Sequence, residues 1–436
     1  MGHIVGKEIY RKLGGRFDQM PTRTPWNPAF QALLQELYSP AEADFVVTMP
    51  AGLSTLAEIS DACSCDEAKA RSMLDNLCSK GMVVDLWLDD RFYYMPSPFV
   101  IGLFEFTMMR TGEGTDPKTW ARLFHEYMQG DDSFYAANSG KGRKVSIMRT
   151  LPHEQAILDA DHIRILDYER AAALIDAADS FSIGLCSCRH EKLHLGQKKC
   201  DVELETCTSL GYAADFLVRN GLARRATRSE MHEKLEMSRQ KGLVLNADNV
   251  QRRISYICHC CKCCCNALAG ISKFGLANAI VTSGFIAGID PEQCNGCGIC
   301  VKKCPIDAIR LRSSHADGSK KKMPVVDQEI CLGCGVCGLQ CESGAMQLSA
   351  REQRVLVPET TFEKSVLAAL ERDTLQHLIF TNRKSVSQSF LRGLTGAFFK
   401  LPPVKKALMS DRLRSRFLAA MKNGARVQGK GWLLEL

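Results

Sequence analysis

One stretch in the C-terminal half of the chain contains two closely similar cysteine motifs. The first reads CNGCGICVKKCP and the second CLGCGVCGLQCE, so both have the spacing C-x2-C-x2-C-x3-C. Residues 289–309 and 326–346 align without a gap at an offset of 37 positions, with 9 of 21 residues identical. Because the identity extends beyond the cysteines, it indicates a duplicated half-domain.

This spacing favours iron–sulfur clusters over zinc knuckles or disulfides. A cubane cluster needs four thiolates that converge on one small volume, and three closely spaced cysteines on a tight loop can supply three of them. Zinc sites usually combine two separated cysteine pairs instead. The intervening glycines allow sharp turns that direct backbone amides at the sulfurs, and they are Gly296, Gly298, Gly333 and Gly335.

The stretch resembles the two-cluster bacterial ferredoxins over roughly 60 residues. In that family the fourth cysteine of each motif ligates the other cluster. The resemblance implies one [4Fe–4S] cluster on Cys294, Cys297, Cys300 and Cys341, and a second on Cys331, Cys334, Cys337 and Cys304. The proline that follows the fourth cysteine in the family is Pro305 in the first half but Glu342 in the second. Proline is not a ligand, so we still expect the cluster, with altered exposure and potential.

Ten further cysteines lie in the middle of the chain, after a β-like run FSIGL. They are Cys186, Cys188, Cys200, Cys207, Cys258, Cys260, Cys261, Cys263, Cys264 and Cys265. An ordinary core has no use for the sequence CHCCKCCC, so we expect at least one additional iron–sulfur cluster here. Ten thiols could ligate two clusters, or one cluster and another metal. The first four could form one site and the last six another, or the two sets could share ligands.

The order of these motifs has a second resemblance. A strand leading into C-x-C-R-H, two more cysteines, a C-x-C-C-x-C-C-C segment and a two-cluster ferredoxin module are similar to the uncharacterised multi-cluster ferredoxin-domain proteins of strict anaerobes, over residues 40–350. The resemblance implies redox service but no particular substrate.

Polar residues near the middle cysteines are candidates for tuning a cluster. Arg189 is expected to donate to sulfide or thiolate and to raise the cluster potential. His190 or His259 could act as a ligand or proton donor at the cluster, but for these residues and His194 a hydrogen bond to sulfur or a surface position is the preferred interpretation.

The N-terminal region has the element order of a winged-helix domain. Helical spacing covers residues 27–38, an extended apolar segment is predicted at 45–49, and helices follow at 54–63 and 66–80. The segments VVDLWL and RFYYM then flank Asp89 and Asp90 as a β-hairpin. The second helix of the turn is neutral overall, which favours packing or partner docking over DNA binding. Cys63, Cys65 and Cys78 are predicted to be small buried side chains rather than ligands.

The C-terminal tail is basic. Residues 377–436 contain 12 Lys and Arg against 2 Asp and Glu, whereas the whole chain has a net charge of +7. The tail has helical apolar spacing, so it could pack on the protein itself, contact a partner or lie on an anionic membrane surface. Residues 310–324 form a basic insertion with lysines at 320–322, which is either a docking loop for an acidic electron partner or a solvated surface loop.

Composition sets the cellular context. No apolar run of membrane-spanning length and no secretory pattern occurs, and 21 cysteines fit a reducing compartment where thiols bind metals. These features predict a cytoplasmic protein of an anaerobe.

Together the patterns predict an α+β multidomain chain. Its segments are a winged-helix-like domain at 27–98, a helical linker and Cys-rich α/β domain at 99–285, a dicluster ferredoxin domain at 286–350 and a basic helical tail at 351–436. The leading hypothesis is an electron-transfer protein, or an electron-transfer subunit, that serves redox partner proteins. No G-x-G-x-x-G follows a strand and no P-loop is present, so hydride chemistry is expected in another polypeptide. The alternatives are a redox enzyme with a catalytic middle cluster and an iron–sulfur regulator that binds DNA.

Overall fold

A computed structural model describes residues 2–140, 145–313, 322–353, 355, 357–380 and 386–436, with side chains from residue 8 onward. The mixture of helix and sheet confirms the predicted α+β class. The helices are α1 Gly2–Phe17, α2 Pro28–Leu37, α3 Pro40–Thr48, α4 Leu56–Cys63, α5 Glu67–Ser79, α6 Phe104–Met109, α7 Pro117–Gln129, α8 Ser133–Ser139, α9 Ala171–Asp176, α10 Ser187–His194, α11 Gly211–Arg219, α12 Arg228–Lys241, α13 Asn266–Ser272, α14 Ile299–Lys303, α15 Val336–Leu339, α16 Thr361–Glu371, α17 Leu375–Ile379, α18 Val386–Lys400, α19 Pro402–Leu408 and α20 Asp411–Val427.

The strands fall into one large sheet and three hairpin-sized sheets. They are β1 Val83–Leu88, β2 Arg91–Pro96, β3 Met148–Leu151, β4 Phe181–Leu185, β5 Glu205–Leu210, β6 Ala223–Arg225, β7 Val244–Asp248, β8 Tyr256–Cys260, β9 Ile280–Val281, β10 Phe285–Ile289, β11 Ile309–Ser313, β12 Lys322–Val326 and β13 Met346–Ala350.

The chain divides into two compact units. The first comprises Met1–Asn138, Phe216–Ala223 and Pro358–Leu436, and the second comprises Ser139–Asp215 and Arg224–Val357. Both the ferredoxin-like motifs and the ten middle cysteines belong to the second unit. No described helix is long and apolar enough to cross a membrane.

The first unit is built around an aromatic core between its helices. The ring of Phe30 stacks on Tyr127 with centroids 4.7 Å apart, and Phe99 meets Tyr127 edge-on at 5.0 Å. Aromatic pairs in these arrangements stabilise a core beyond the area that they bury.

The predicted extended segment at 45–49 is wrong, because residues 45–48 lie in α3. Ser39 caps this helix: its hydroxyl accepts from the backbone N–H of Glu42 at 3.3 Å, and the Glu42 carboxylate accepts from the N–H of Ser39 at 2.8 Å. Pro40 occupies the first turn, where its missing N–H costs nothing. This start signal outweighs the β-propensity of the apolar run that follows.

The other predicted N-terminal elements form in their expected order. Helices α4 and α5 precede the antiparallel hairpin β1–β2, whose register pairs Val83 with Pro96. Asp89 and Asp90 both have positive φ, at 52° and 58°, as a tight two-residue hairpin turn requires.

The basic tail is helical, and part of it packs within its own unit. Lys422 of α20 pairs with Glu363 of α16 at 2.7 Å, and the ring of Trp432 lies 4.1 Å from that of Tyr93. The apolar residues of α18 are instead exposed, with Phe390 73% accessible. Lysines 320 and 321 of the predicted docking loop lie outside the described residues.

The second unit contains a seven-stranded sheet in the order β6-β4-β5-β8-β7-β3-β9. Its core includes Leu151, Ile183, Leu245 and Ile257, each nearly inaccessible to solvent. The FSIGL run forms β4, as predicted. Strand β3 interrupts the connection that was predicted to be mostly helical: all four of its residues are buried, and it pairs with β7 and β9.

The duplicated stretch folds as two βαβ halves. Strands β10 and β11 flank α14, while β12 and β13 flank α15. Ile289 pairs with Met346 and Ile309 with Val326, so the two ends of one repeat pair with the opposite ends of the other. The sequence repeat is therefore an internal two-fold in the structure.

Candidate metal centres

The cysteine loops of the duplicated stretch turn at glycines with left-handed backbone. Gly296, Gly298, Gly333 and Gly335 have φ between 65° and 83°, a region that L-residues avoid. At one of these turns the N–H of Gly296 donates to Cys294 Sγ at 3.4 Å, and after the fourth cysteine of each motif Ala308 donates to Cys304 Sγ at 3.2 Å and Met346 to Cys341 Sγ at 3.4 Å. Such bonds stabilise thiolates and favour metal binding.

Cys304 from the first motif lies with three cysteines of the second. One cavity is lined by Cys304, Cys331, Cys334 and Cys337, together with apolar residues such as Ile306. Its empty volume is about 330 Å³, which includes a part that is open to solvent. Burial, together with the nearby charges of Cys331 and Cys304, raises the pKa of Cys334 to about 12. A volume lined by four thiols and otherwise apolar side chains fits an iron–sulfur cluster.

Cys341 lies, reciprocally, with the cysteines of the first motif. Burial raises the pKa of Cys300, and the charges of Cys297, Cys341 and Cys294 add to the increase. This set is nearer to solvent than the other, since Cys297 is exposed and Cys341 is half-buried. The fourth cysteine of each motif therefore lies beside the three closely spaced cysteines of the other motif.

The residue that follows the fourth cysteine, a proline in the first motif and a glutamate in the second, is not a member of either set of thiols. Pro305 lines the cavity beside Cys304, whereas Glu342 is exposed next to Cys341. The substitution therefore changes the more solvent-exposed of the two sites.

The middle cysteines separate into two groups that cut across their order in the sequence. The first, called the tetrathiol group, consists of Cys200, Cys261, Cys263 and Cys264, whose sulfurs all lie within 4.8 Å of one another. The second, called the six-thiol group, consists of Cys186, Cys188, Cys207, Cys258, Cys260 and Cys265. Of the two arrangements that the sequence left open, this grouping agrees with shared ligands, because Cys200 joins the later cysteines and the other three lie beside Cys258, Cys260 and Cys265.

Neighbouring strands gather the six-thiol group. Cys207 of β5 lies opposite Cys258 of β8, and Cys258 and Cys260 share a strand face because they are two residues apart. A hydrogen bond with Cys265 and burial raise the pKa of Cys188. The Cys260 thiol lowers the pKa of Cys258, but burial and the charges of neighbouring thiols such as Cys207 together outweigh it and raise that pKa to about 12. Thiols held this deep need a partner such as a metal to ionise.

Arg189 is a buried cation beside both groups. It is 1% accessible, donates from Nη1 to Thr206 Oγ1 and from Nη2 to the carbonyl of His259, and its Nε is a buried N–H without a hydrogen-bond partner among the described residues. Burial lowers the pKa of Arg189, but the charges of Cys186, Cys261 and other thiols outweigh it and raise that pKa. The role of Arg189 as a donor toward a sulfur site stays a prediction.

His259 differs from its prediction, because it neither contacts sulfur nor reaches the surface. Ser238 Oγ lies 2.5 Å from Nδ1, and Thr208 Oγ1 lies 3.1 Å from Nε2 while donating to the carbonyl of Ile257. Thr208 must then accept from Nε2–H, and Ser238 donates to Nδ1. Burial lowers the pKa of His259 to about 3, so the ring is neutral. The other two histidines pair with each other, with the Nε2 atoms of His190 and His194 at 2.9 Å.

The three N-terminal cysteines join no metal-binding group among the described residues. Cys78 is buried, and burial raises its pKa, whereas Cys63 and Cys65 are half-buried. The Cys63 thiol lies 3.8 Å from the carbonyl of Phe45.

A duplicated βαβ fold whose loops bring together eight cysteines defines an iron–sulfur electron-transfer protein. Residues 293–345 match the family model of the 4Fe-4S dicluster domain. No curated protein and no solved structure gives a significant match to the chain.

Proposed function

We propose that the duplicated stretch binds two [4Fe–4S] clusters and that the chain passes single electrons between redox proteins. The first cluster is assigned to Cys294, Cys297, Cys300 and Cys341, and the second to Cys331, Cys334, Cys337 and Cys304. The observation that carries the proposal is the cavity that Cys304 lines together with the three cysteines of the other motif. Bound clusters would supply one-electron oxidation and reduction.

We assign a third cluster to the six-thiol group. Six cysteines exceed the four that a cluster requires, and their burial makes free thiolates costly. The Nε–H of Arg189, which has no hydrogen-bond partner among the described residues, provides a donor for such a cluster. A buried guanidinium would also offset part of the negative charge of a thiolate-ligated cluster.

Contacts inside the second unit connect the second ferredoxin-type site to the middle cysteines. The backbone N–H of His153 donates to the carbonyl of Cys334 at 3.0 Å, and Nε2 of His153 donates to the carbonyl of Leu243 at 2.7 Å. The Leu243 side chain packs against Cys261 and Cys264. This short packed route supports electron exchange between the middle region and the second site.

The first ferredoxin-type site is the exchange point for an external partner. Cys297 is exposed there, and Lys302 and Lys303 are exposed in the last turn of α14. Complementary charge accelerates encounter, so the partner is a redox protein with an acidic face. The N-terminal helices and hairpin are assigned a winged-helix fold that serves in packing or docking, because the helix α5 lacks the basic surface that DNA binding requires.

The assignment of ligands can be tested with two double variants purified without oxygen. Cys300→Ala with Cys341→Ala removes two ligands of the same site, so about four irons and four sulfides per chain are lost. Cys337→Ala with Cys341→Ala removes one ligand from each site, so about eight of each are lost. The Cys78→Ala variant is the matched control and retains all iron.

The opposite pattern, with the larger loss in the first double variant, would overturn the crossed assignment. The electron-transfer function is tested on the intact protein by reducing it and counting the electrons that it delivers to a one-electron acceptor. One electron per cluster is expected. A chain that holds iron but delivers no electrons would contradict the function while leaving the ligand assignment standing.

A further inference from the structure

The tetrathiol group differs in size from every other cysteine site of the protein. Sulfur–sulfur distances are 3.6 Å for Cys200–Cys261, 3.9 Å for Cys200–Cys264, 3.7 Å for Cys261–Cys263 and 3.2 Å for Cys263–Cys264. Among the described residues, the tetrathiol group is the one place where three or more possible metal-ligand atoms of Cys, His, Asp or Glu side chains lie within 4.8 Å of one another. The ferredoxin-type thiols are spaced more widely.

These distances match four thiolates around one metal ion. Zinc–thiolate bonds are about 2.3 Å, and the edge of a tetrahedron built on them is about 3.8 Å. In a [4Fe–4S] cluster each thiolate caps a different iron at a corner of the cube, so the cysteine sulfurs lie farther apart. The observed separations leave space for an ion and none for a cubane.

The local backbone explains how consecutive cysteines reach one point. The chain turns after β8, where the N–H groups of Cys264 and Cys265 approach the carbonyl of Cys261 at 3.4 Å and 3.2 Å. This turn directs three of the thiols to one side, while Cys265, the N-cap residue of α13, belongs to the six-thiol group. Cys200 lies in a separate loop, and its backbone carbonyl accepts a hydrogen bond from Lys198 Nζ at 2.6 Å.

We propose that Cys200, Cys261, Cys263 and Cys264 bind a single metal ion as a closed tetrathiolate site. The ion is zinc or a lone iron, since tetrahedral S4 coordination suits both. Either ion ties the loop of Cys200 to the turn after β8. A lone iron would in addition be redox-active beside Leu243, on the route toward the second ferredoxin-type site.

The wild-type chain provides the first test, because the two kinds of site differ in sulfide. Each [4Fe–4S] cluster contains equal numbers of iron and acid-labile sulfide, whereas a mononuclear site contains none of the latter. In protein purified without oxygen, iron plus zinc is expected to exceed sulfide by one atom per chain. An excess made of zinc identifies the zinc form, which X-ray absorption verifies as four sulfurs at about 2.3 Å. An excess made of iron identifies the other. Equal metal and sulfide would overturn the proposal.

A single variant locates the ion. Cys200→Ala is expected to remove one metal atom and no sulfide, while Cys78→Ala, a buried cysteine outside all groups, changes neither. Loss of about four irons together with four sulfides would show a cluster instead and refute the mononuclear site. The outcome is separate from the proposed function, because the ferredoxin-type clusters are counted by the sulfide that remains.

Discussion

Gly333 offers a sharp test of how the second cluster site is shaped. Its φ is +65°, and a Cβ added there would overlap the carbonyl oxygen of Phe285 and the hydroxyl of Ser283. Both atoms are already engaged. Arg351 Nε donates to the carbonyl of Phe285 at 3.0 Å, and Ser283 Oγ donates to the carbonyl of Gly333 at 2.7 Å. The substitution Gly333→Ala therefore displaces backbone that supports the cavity.

The magnitude follows from two costs. A left-handed conformation costs a residue with a Cβ about 1–2 kcal/mol. Displacing the Phe285 carbonyl breaks a hydrogen bond from a charged donor, which contributes about 1.5–3 kcal/mol. Gly344 is the matched control, because its φ is +69° and the nearest atom to an added Cβ is Gln293 Oε1 at 3.6 Å, an ordinary contact. Gly344→Ala therefore bears only the first cost.

The assay is the retention of iron and sulfide, with the midpoint of cluster loss in guanidinium. Gly333→Ala is expected to lose about four irons or to release them at a clearly lower midpoint. Its destabilisation should exceed that of Gly344→Ala by about 1.5–3 kcal/mol. Equal midpoints for the two variants, with all iron retained, would refute the reasoning.

Three further substitutions probe other parts of the molecule. Arg149→Met removes hydrogen bonds to two backbone carbonyls of the second unit, and we expect a loss of about 3 kcal/mol in the free energy of unfolding, measured by chemical denaturation. Thr227→Ala removes the cap of α12 and should cost about 1 kcal/mol in the same assay. Arg189→Gln should leave the iron and sulfide content unchanged. Because it removes a positive charge, it should make the reduction potential of the cluster proposed at the six-thiol group more negative, as measured by redox titration. Unchanged potentials would exclude Arg189 from tuning a cluster.

The ferredoxin-like module could be predicted because its determinants are local. Ligand spacing, turn glycines and the repeat all lie within about sixty residues, whereas the ligation of opposite clusters by Cys304 and Cys341 stays a prediction from the family resemblance. The segment at 45–49 was misread because its apolar run favoured a strand, while Ser39 and Glu42 determined a helix.

The partition of the middle cysteines could not be read from the sequence. Cys200 and Cys207 are neighbours along the chain, but one lies in a loop and the other in a strand at the centre of the sheet. Which thiols meet depends on the pairing of β5 with β8, which is a contact between distant residues. The spacing of CHCCKCCC indicates several roles without assigning them, because a turn and a strand send adjacent side chains in different directions.

The proposed exchange of the fourth cysteine between the two halves has a consequence for biosynthesis. A ribosome releases Cys294, Cys297 and Cys300 well before Cys341, and Cys304 well before its three partners. During translation neither half of the repeat contains all four ligands of one cluster. An iron–sulfur scaffold protein therefore has no complete site to load until nearly the whole stretch has left the ribosome. A chain truncated before residue 341 should therefore lack one ligand of the first site. Cluster insertion at that site then distinguishes a chain that extends through residue 341 from one that ends before it.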